Sequence, residues 1–494
     1  MVLIIGVSSL VGVSGSSIPV PPRKPDVAAL IQNGSISLSA YTPQTRSNAL
    51  LNDEHTYRSP FAGPEMDLYR DIFRLQASGS MTEADALIVK VKDQTLMGHV
   101  LAQRFLHANY KANFVELSDW LARYADHPEA VRIARLALAR VPSGHDGVLT
   151  KASYAPSAIE ELGEQGMEAK SYDPDIKRTP AQNGMAKDMI RQIRRSVQQY
   201  EPSAALRLFN ESEAAIYLDD VEKDRIRAII ASGYLYAGKV DEAERFAAQA
   251  LNGSHGKAPL AGWVHGLAKW QQGRWSQAAS SFEAAANSPY STGSMVAAAS
   301  YWAARAHEKA GHGRRQTQWL KKAADYPRTF YGLLAVAALG KNADMNWETP
   351  ELSSAQEKEI LETPAGQRAE KLLAAGEVPL AEDEIKALYV KGDGARKKAL
   401  LAYAYERRLP SLTMQLAHAV GHKAGDAYDA ALYPSMPWSP NQGFRIDRAL
   451  LHAIVRQESR FNASAENKSS GATGLMQLMP QTANFVADTD IFVA

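Results

Sequence analysis

Side chains suited to acid–base chemistry lie close together in RQESRFNASAENKSSGATGLMQLMP, which runs from Arg456 to Pro480. Glu458 stands in line with apolar residues, where a buried hydrophobic side chain would be expected. Gly471 and Gly474 follow it, and then Gln477. A carboxylic acid that is kept protonated can donate a proton to a leaving oxygen, and a Gln amide both donates and accepts hydrogen bonds. The run therefore predicts an acid–base site for an amphipathic ring such as a sugar.

A helix is predicted to carry Glu458. In IDRALLHAIVRQESRF, Asp447 is a favourable N-cap, and positions 450, 454 and 458 are four residues apart and share a face. We therefore expect Glu458 on the buried side near the helix C-terminus, where burial and the helix dipole both disfavour the charged form. The alternative from this helix alone is a helix-end Glu that pairs with Arg456 or Arg460.

The residues that follow Glu458 favour the first interpretation. Gly471 and Gly474 permit a close backbone approach, either to the helix of Glu458 or to a ligand. Methionines beside Gln477 offer a compliant apolar surface. The nearby acids Glu466 and Asp488 lie in polar stretches and are predicted to be surface residues, so the pair of carboxylates that a conventional glycosidase needs is not evident.

Composition excludes several classes of site. The chain has 494 residues, with 55 Lys+Arg, 54 Asp+Glu and a net charge of +1. The overall electrostatic potential of such a chain does not favour binding to nucleic acid. The absence of cysteine excludes thiolate zinc sites, thiol nucleophiles and disulfides. The histidines, such as His99, His107 and His127, show no metal-ligand spacing and are predicted to pack or cap helices. We expect no metal and no cofactor.

The start of the chain predicts export. Residues 1–24 begin MVLIIGVSSLVGVSGSS, an apolar run followed by small residues, which is typical of a secretory signal whose cleavage would fall near Gly15 to Ile18. Residues 25–64 are rich in Pro, Ser and Asn and are predicted to form an extended linker.

Glycines mark an internal repeat. Gly238 to Gly273 spans 273 − 238 = 35 residues, and Gly273 to Gly311 spans 311 − 273 = 38, close to the roughly 34-residue period of tetratricopeptide helical hairpins. Trp263, Trp270, Trp275, Tyr301 and Trp302 are predicted to pack between hairpins rather than to stack on sugars. The pattern predicts an all-α, TPR-like superhelical array of helical hairpins over residues 65–340, with a loop insertion near 142–183.

Helical texture continues over residues 341–435, which are predicted to form a helical linker domain. It is followed by YPSMPWSPNQGF, residues 433–444, in which three prolines and a glycine cannot continue a helix. This break predicts a domain boundary, and a last domain over 436–494.

The motif pair E-S-R-F and G-A-T-G-L-M-Q-L-M-P-Q-T-A resembles that of the soluble lytic transglycosylases, whose catalytic domain is goose-lysozyme-like. Upstream segments such as GHVLAQRFLHANY and SYWAARAHEKAG are similar to the superhelical domain of that family, so the resemblance covers most of the chain from about residue 65. It implies that residues 436–494 form a partial lysozyme-like α domain.

The resemblance implies a periplasmic enzyme that acts on the glycan strands of peptidoglycan. It cleaves the β-1,4 bond between N-acetylmuramic acid and N-acetylglucosamine without water and leaves a 1,6-anhydro end. Glu458 matches the single catalytic acid, which later acts as base, and Gln477 and Met479 match residues that contact the sugars. In AENKSSGA, Lys468 falls where the family has Ser, so Ser469 or Ser470 is expected to take that role.

The catalytic segment from Asn441 to Ala494 has 494 − 441 + 1 = 54 residues, fewer than the family's domain, which predicts a truncated member. Two functions therefore stay open: a lytic transglycosylase, or a non-catalytic helical-repeat interaction protein with an inactive catalytic segment. The expected partners are peptidoglycan glycan strands and no nucleic acid. The repeats offer a surface on which other cell-wall enzymes could dock, and the protein could lie peripherally on the wall or membrane of a Gram-negative periplasm.

Overall fold

The structure is a computed structural model that describes residues 59–142, 150, 169–421, 427–437, 443–467 and 470–487. The predicted signal over 1–24, most of the linker over 25–64, much of the insertion over 142–183 and Ser469 lie outside these residues. Within them, none of the helices combines the length and the apolar character that a membrane crossing requires.

The described chain is almost entirely helical, which confirms the predicted fold class. The helices are α1 (Pro64–Ala77), α2 (Met81–Ile88), α3 (Met97–Leu106), α4 (Phe114–Tyr124), α5 (Ala130–Leu138), α6 (Pro180–Gln198), α7 (Pro202–Glu211), α8 (Asp220–Tyr236), α9 (Val240–Gly253), α10 (Pro259–Gln271), α11 (Trp275–Asn287), α12 (Gly293–Lys309), α13 (Gly313–Ala324), α14 (Phe330–Ala338), α15 (Ser354–Leu361), α16 (Pro364–Ala375), α17 (Val378–Lys391), α18 (Gly394–Glu406), α19 (Pro410–Val420), α20 (Asp429–Leu432), α21 (Arg448–Ser459) and α22 (Pro480–Ala487). Short 3₁₀ turns cover Gln94–Leu96 and Glu213–Tyr217, and two-residue strands are β1 (Glu466–Asn467) and β2 (Ala472–Thr473).

One compact unit contains the described residues 169–345 and includes the predicted repeat. Gly238, Gly273 and Gly311 have φ angles of 75°, 72° and 76°, in the left-handed region that glycine adopts without steric cost. They lie between α8 and α9, α10 and α11, and α12 and α13 respectively. The glycine spacing therefore marks the turns of three successive helical hairpins, as predicted.

Small residues and aromatic rings fill the spaces between these hairpins. A Cβ on Gly266 would lie 2.5 Å from the Phe282 ring, so this glycine lets α10 and α11 approach closely. Trp270 lies edge-on to Trp302 with ring centroids 5.0 Å apart, and both rings pack against the same hydrophobic core. Tyr301 belongs to this core, and Trp263 packs against it as well, so the predicted core role is confirmed for four of the five aromatics. Trp275 contacts Trp270 at 4.8 Å between ring centroids, outside the cluster.

The second compact unit combines the described residues up to 150 with the described residues from 346 onward, whereas the sequence predicts 65–340 as a single domain. Tyr69 and Phe73 of α1 share a hydrophobic cluster with Leu372 of α16. Arg70 of α1 donates hydrogen bonds to the carbonyls of Ala374 and Ala375 at the end of α16. Helices that are about 300 residues apart in sequence therefore pack directly, which no local pattern shows.

Buried charges join the same two stretches of the unit. His99 of α3 contacts Glu129 at 2.8 Å through Nδ1 and Glu384 of α17 at 2.9 Å through Nε2. Arg368 of α16 donates hydrogen bonds to both carboxylate oxygens of Glu384 and to the Asp126 carboxylate at 3.0 Å. Burial by itself lowers the pKa of His99, but the two glutamates outweigh it and raise this pKa to about 9. We call these five residues the buried ion cluster.

Candidate active site

Helix α21 begins as predicted but is rotated relative to the prediction. The Asp447 carboxylate accepts a hydrogen bond from the Leu450 backbone N–H at 3.0 Å, so Asp447 is the N-cap. Val455 and Ser459 are buried, with exposed fractions of 2% and 8%, whereas Leu450 is 56% exposed. The buried stripe therefore runs through 455 and 459, and the predicted stripe through 450, 454 and 458 is wrong.

Glu458 itself is exposed, so the expectation that it is buried is wrong. Among the described residues its carboxylate forms no ion pair, including with Arg456 or Arg460, so the paired alternative is not observed either. Position 458 is seven residues after Leu451, which places the two side chains within about 20° around the helix axis. Glu458 thus shares a side of α21 with Leu451 and Val455, at the C-terminal end.

The chain after Glu458 is held in an unusual backbone conformation. Arg460 and Phe461 have φ angles of 52° and 63°, and such left-handed non-glycine residues cost roughly 1–2 kcal/mol each. Phe461 is buried and packs with Met414, Met436 and Val455. Hydrophobic burial of Phe461 therefore offsets the backbone strain and fixes the helix end that presents Glu458.

An apolar pocket of about 290 Å³ lies beside α21. Leu451 and Val455 form its helical wall, and they are the residues that share a side with Glu458. The remaining lining residues come from the segment before the helix and from the hairpin after it: Met436, Phe444, Thr473, Gly474, Leu475, Met476 and Leu478. An acid at the end of an apolar wall suits a ligand with both apolar and hydroxyl-bearing faces.

The hairpin is shaped by local backbone contacts. Glu466 pairs with Thr473 and Asn467 with Ala472 in an antiparallel register. Gly471 and Gly474 have φ angles of 73° and 76°, and no atom lies within 4 Å of a Cβ placed on Gly474. These glycines therefore serve turns, and the close approach to the helix of Glu458 is not observed. Gly474 lines the pocket, and a close approach to a ligand stays a prediction.

Residues 438–489 match the family model of the transglycosylase SLT domain. The chain carries an SLT domain. This segment contains both motifs on which the family resemblance rests and confirms it for this part of the chain.

Two solved structures are similar over most of the chain. The soluble lytic transglycosylase Slt70 from Escherichia coli is 14% identical, with 86% of this chain and 81% of that chain covered and a TM-score of 0.47. An inactive mutant of the lytic transglycosylase Slt from Pseudomonas aeruginosa is 17% identical, with 85% and 81% covered and a TM-score of 0.49. The assignment of the SLT domain depends on the family model alone.

Gln477 of the SLT domain is tied to the backbone of its own hairpin. Its Nε2 donates to the carbonyls of Ala465 at 3.0 Å and Gly474 at 2.9 Å, and its own φ is 47°. The Thr473 and Leu478 backbones close the turn with two mutual hydrogen bonds of 3.1 and 3.0 Å. In this structure the Gln477 amide therefore holds the loop, and a role toward sugars stays a prediction.

Two of the remaining predicted site residues, Met479 and Ser470, lie at the surface of the SLT domain. Met479 is 41% exposed, next to the pocket-lining Leu478. Ser470 is exposed, and its Oγ accepts a hydrogen bond from the Ala472 N–H at 3.4 Å. Ser469 lies outside the described residues. Their contacts with substrate stay predictions.

The sequence did not single out His452, which anchors α21. Its Nδ1 donates to the Arg448 carbonyl at 2.8 Å, and its Nε2 accepts from the Met436 N–H at 3.1 Å. Burial lowers the pKa of His452, which suits a neutral ring with this pair of contacts. One histidine four residues after an arginine on a helix gives no signal in sequence, because the Met436 contact depends on the fold.

Two members of the buried ion cluster, His99 and Glu384, lie beside His127 and could in principle offer metal ligands together with it. Donor atoms of His99, His127 and Glu384 all lie within 4.8 Å of one another and are buried. Both oxygens of Glu384 are engaged by Arg368, and a guanidinium there opposes a second cation. We therefore assign the group as a structural ion cluster rather than as a metal site.

Proposed function

We propose that this protein is a peptidoglycan lytic transglycosylase whose catalytic residue is Glu458. The observation that carries the proposal is the SLT domain match over residues 438–489, which contains Glu458 on an exposed helix end beside an apolar pocket. An exposed carboxyl without an ion pair among the described residues can reach a glycosidic oxygen, whereas a paired one would first have to lose its partner.

The proposed reaction needs one carboxyl group and no water. Glu458 donates its proton to the oxygen that links N-acetylmuramic acid to N-acetylglucosamine, and the bond from C1 to that oxygen breaks. The C6 hydroxyl of the muramoyl residue then attacks C1 and gives its proton to the Glu458 carboxylate. The products are a 1,6-anhydro end and a free 4-hydroxyl, and Glu458 regains its starting state.

The pocket and hairpin are proposed to orient the sugar. Met479 and the pocket residues offer an apolar surface, Gln477 holds the turn in shape, and Ser469 or Ser470 stands near the reacting atoms. Holding reactants in position supplies a large part of the catalysis of such reactions. We further propose that the protein works in the periplasm, as the apolar N-terminus suggests.

Glu458→Gln tests the proposal in the protein as its native host produces it. The variant keeps the size of the side chain but cannot donate the proton, so release of 1,6-anhydro products from purified sacculi should fall by about 10²–10⁴-fold. Mass spectrometry of the digest measures this loss. Glu466→Gln removes the exposed acid of β1 and is the matched control, which should keep its activity.

Three outcomes would contradict the proposal. Undiminished anhydro products from Glu458→Gln would remove this residue from the mechanism. Reducing-end products from the unmodified protein would indicate hydrolysis by a second carboxylate. The absence of any cleavage would favour the helical-repeat interaction protein.

A further inference from the structure

Helix α13 differs in charge from the equivalent helices of the two preceding hairpins. Its sequence GRRQTQWLKKAA contains four basic residues and no acid. Helix α9 has three acids and one arginine, and α11 has a single glutamate. The formal charge of the second helix thus changes from −2 through −1 to +4 along the three hairpins, in a chain whose net charge is +1.

The basic residues of α13 lie on one side of the helix. At 100° per residue, Arg314, Arg315, Lys321 and Lys322 fall within a sector of about 120°. The buried side chains Leu320 and Ala323 point away from this sector, and buried Trp319 borders it, with the Lys322 Nζ 5.0 Å from its ring centroid. Arg314, Arg315 and Lys321 are exposed. We call this sector the basic face of α13.

Acidic neighbours do not neutralise the basic face. In the part of the unit that the structure describes, Arg314, Arg315 and Lys321 form no ion pair. The nearby Glu308 is paired with Arg305 of its own helix at 3.0 Å. Lys322 donates a hydrogen bond to the Asn287 side chain at 2.6 Å. The charges of Arg314, Arg315 and Lys321 are therefore the ones available to an external anion.

The positions of Arg314 and Arg315 do not stabilise helix α13. Arg314 and Arg315 lie in the first turn of α13, where the helix dipole disfavours cations. Adjacent cations also repel each other. A bound polyanion would compensate both effects.

We propose that the basic face of α13 binds a carboxylate-bearing polymer, namely the peptide-bearing strands of the wall substrate. The proposal rests on the proposed function for the choice of polymer. The charges extend over about 10 Å of helix from Arg314 to Lys321 on an open surface, which suits an extended polyanion better than a small ion. A membrane-surface helix would keep its apolar side free for lipid, whereas the apolar side of α13 is buried in the core.

The triple variant Arg314→Gln, Arg315→Gln, Lys321→Gln tests the proposal by cosedimentation with purified sacculi. All proteins carry Glu458→Gln so that the sacculi stay intact. Removing three exposed charges should weaken binding about fivefold or more at low salt, and the difference should shrink at high salt because ions screen exposed charges. Sacculi whose carboxylates have been amidated should bind both proteins equally.

Helix α6 supplies a matched control. Arg191→Gln, Arg194→Gln, Arg195→Gln removes the same charge from exposed positions of the same unit and should leave binding unchanged. An equal loss in the control would overturn the proposal, because net charge alone would then explain binding. Unweakened binding by the α13 variant would also overturn it. The proposal would also be overturned if the α13 variant lost binding to phosphatidylglycerol vesicles but kept its binding to sacculi, because the basic face would then be assigned to a membrane surface.

The assay separates this proposal from the proposed function, because it requires no turnover. Turnover is measured separately, in the protein that retains Glu458. If that protein released no anhydro products while binding in the Glu458→Gln background still depended on α13, the catalytic proposal would be contradicted and the docking surface supported. If the triple variant changed neither the binding nor the release of anhydro products by the protein that retains Glu458, the catalytic proposal would be supported and the docking surface contradicted.

Discussion

Each of the two compact units is stabilised by its own internal contacts, and the residues that these contacts join are much farther apart in sequence in one unit than in the other. In the repeat unit, Lys269 pairs with Glu244, 25 residues away, and His307 contacts Glu283, 24 residues away. In the other unit, His99 and Glu384 are 285 residues apart. The first unit is built by neighbouring hairpins, and the second by segments that meet only in the fold.

This difference shows two ways of specifying a helical array. In the repeat unit, each hairpin buries its apolar side on the next one, so local geometry decides the packing. In the other unit, a helix must pack against one particular helix that is far away in sequence, although many other helices of the chain are similar to it. A wrong pairing there would leave a buried charge without its counterion, which is strongly destabilising, so we infer that the buried ion cluster helps to select the correct partner.

The largest expected effect comes from breaking the buried ion cluster. Glu384→Gln should lower the free energy of unfolding by about 3–5 kcal/mol, because it leaves the buried Arg368 guanidinium without its main partner and His99 with Glu129 alone. Urea unfolding measures this change. In the repeat unit, Glu244→Gln removes a partner of Lys269 that is itself partly exposed, and should cost about 1 kcal/mol. If Glu384→Gln and Glu244→Gln lowered the free energy of unfolding by equal amounts, the proposed difference between the two units would be contradicted.

A smaller effect should follow from filling a close helix contact of the repeat unit. Gly266→Ala would place its Cβ 2.5 Å from the Phe282 ring, and such overpacking typically costs about 1–3 kcal/mol. Gly184→Ala is the matched control, because no atom lies within 4 Å of its Cβ in the exposed middle of α6. The control should gain up to about 1 kcal/mol from helix propensity. Thermal unfolding compares the two, and a stabilised Gly266→Ala would contradict the close-packing argument.

The smallest expected effect is a pH dependence of stability. Burial opposes protonation of His99, but its two glutamate partners raise its pKa to about 9 from an ordinary value of 6.5. A raised folded-state pKa means that this contribution to stability is complete below about pH 6.5 and is lost as the pH rises toward 9. Unfolding free energies of the unmodified protein and His99→Gln, measured from pH 6 to 10, should therefore converge as the pH rises. A constant difference would show that His99 does not titrate in this range.

Local sequence was sufficient for the repeat unit and for the location of the site. Gly238, Gly273 and Gly311 predicted the hairpin turns because a left-handed turn has a strong local preference for glycine. Asp447 predicted the start of α21 for a similar reason, since an N-cap interacts only with the next turn. The motif around Glu458 predicted the SLT domain because it combines uncommon residues at fixed spacing.

The sequence could not determine the rotation of α21. Apolar residues at Leu450, Leu451, Ile454 and Val455 allow two buried stripes that differ by one residue. The choice is made by Phe461 and Met436, which pack against Val455. This choice exposes Glu458, and it depends on contacts outside the helix.

The sequence by itself determined which segments are helical, where the hairpins turn and which segment matches the SLT domain, because each of these depends on residues within a few turns of one another. Only the tertiary structure decided that α1 packs on α16, that His99 is charged between two glutamates, and that Gln477 holds its own loop. Those outcomes depend on side chains that are distant in sequence, and their free energies arise only when burial removes water from the groups concerned.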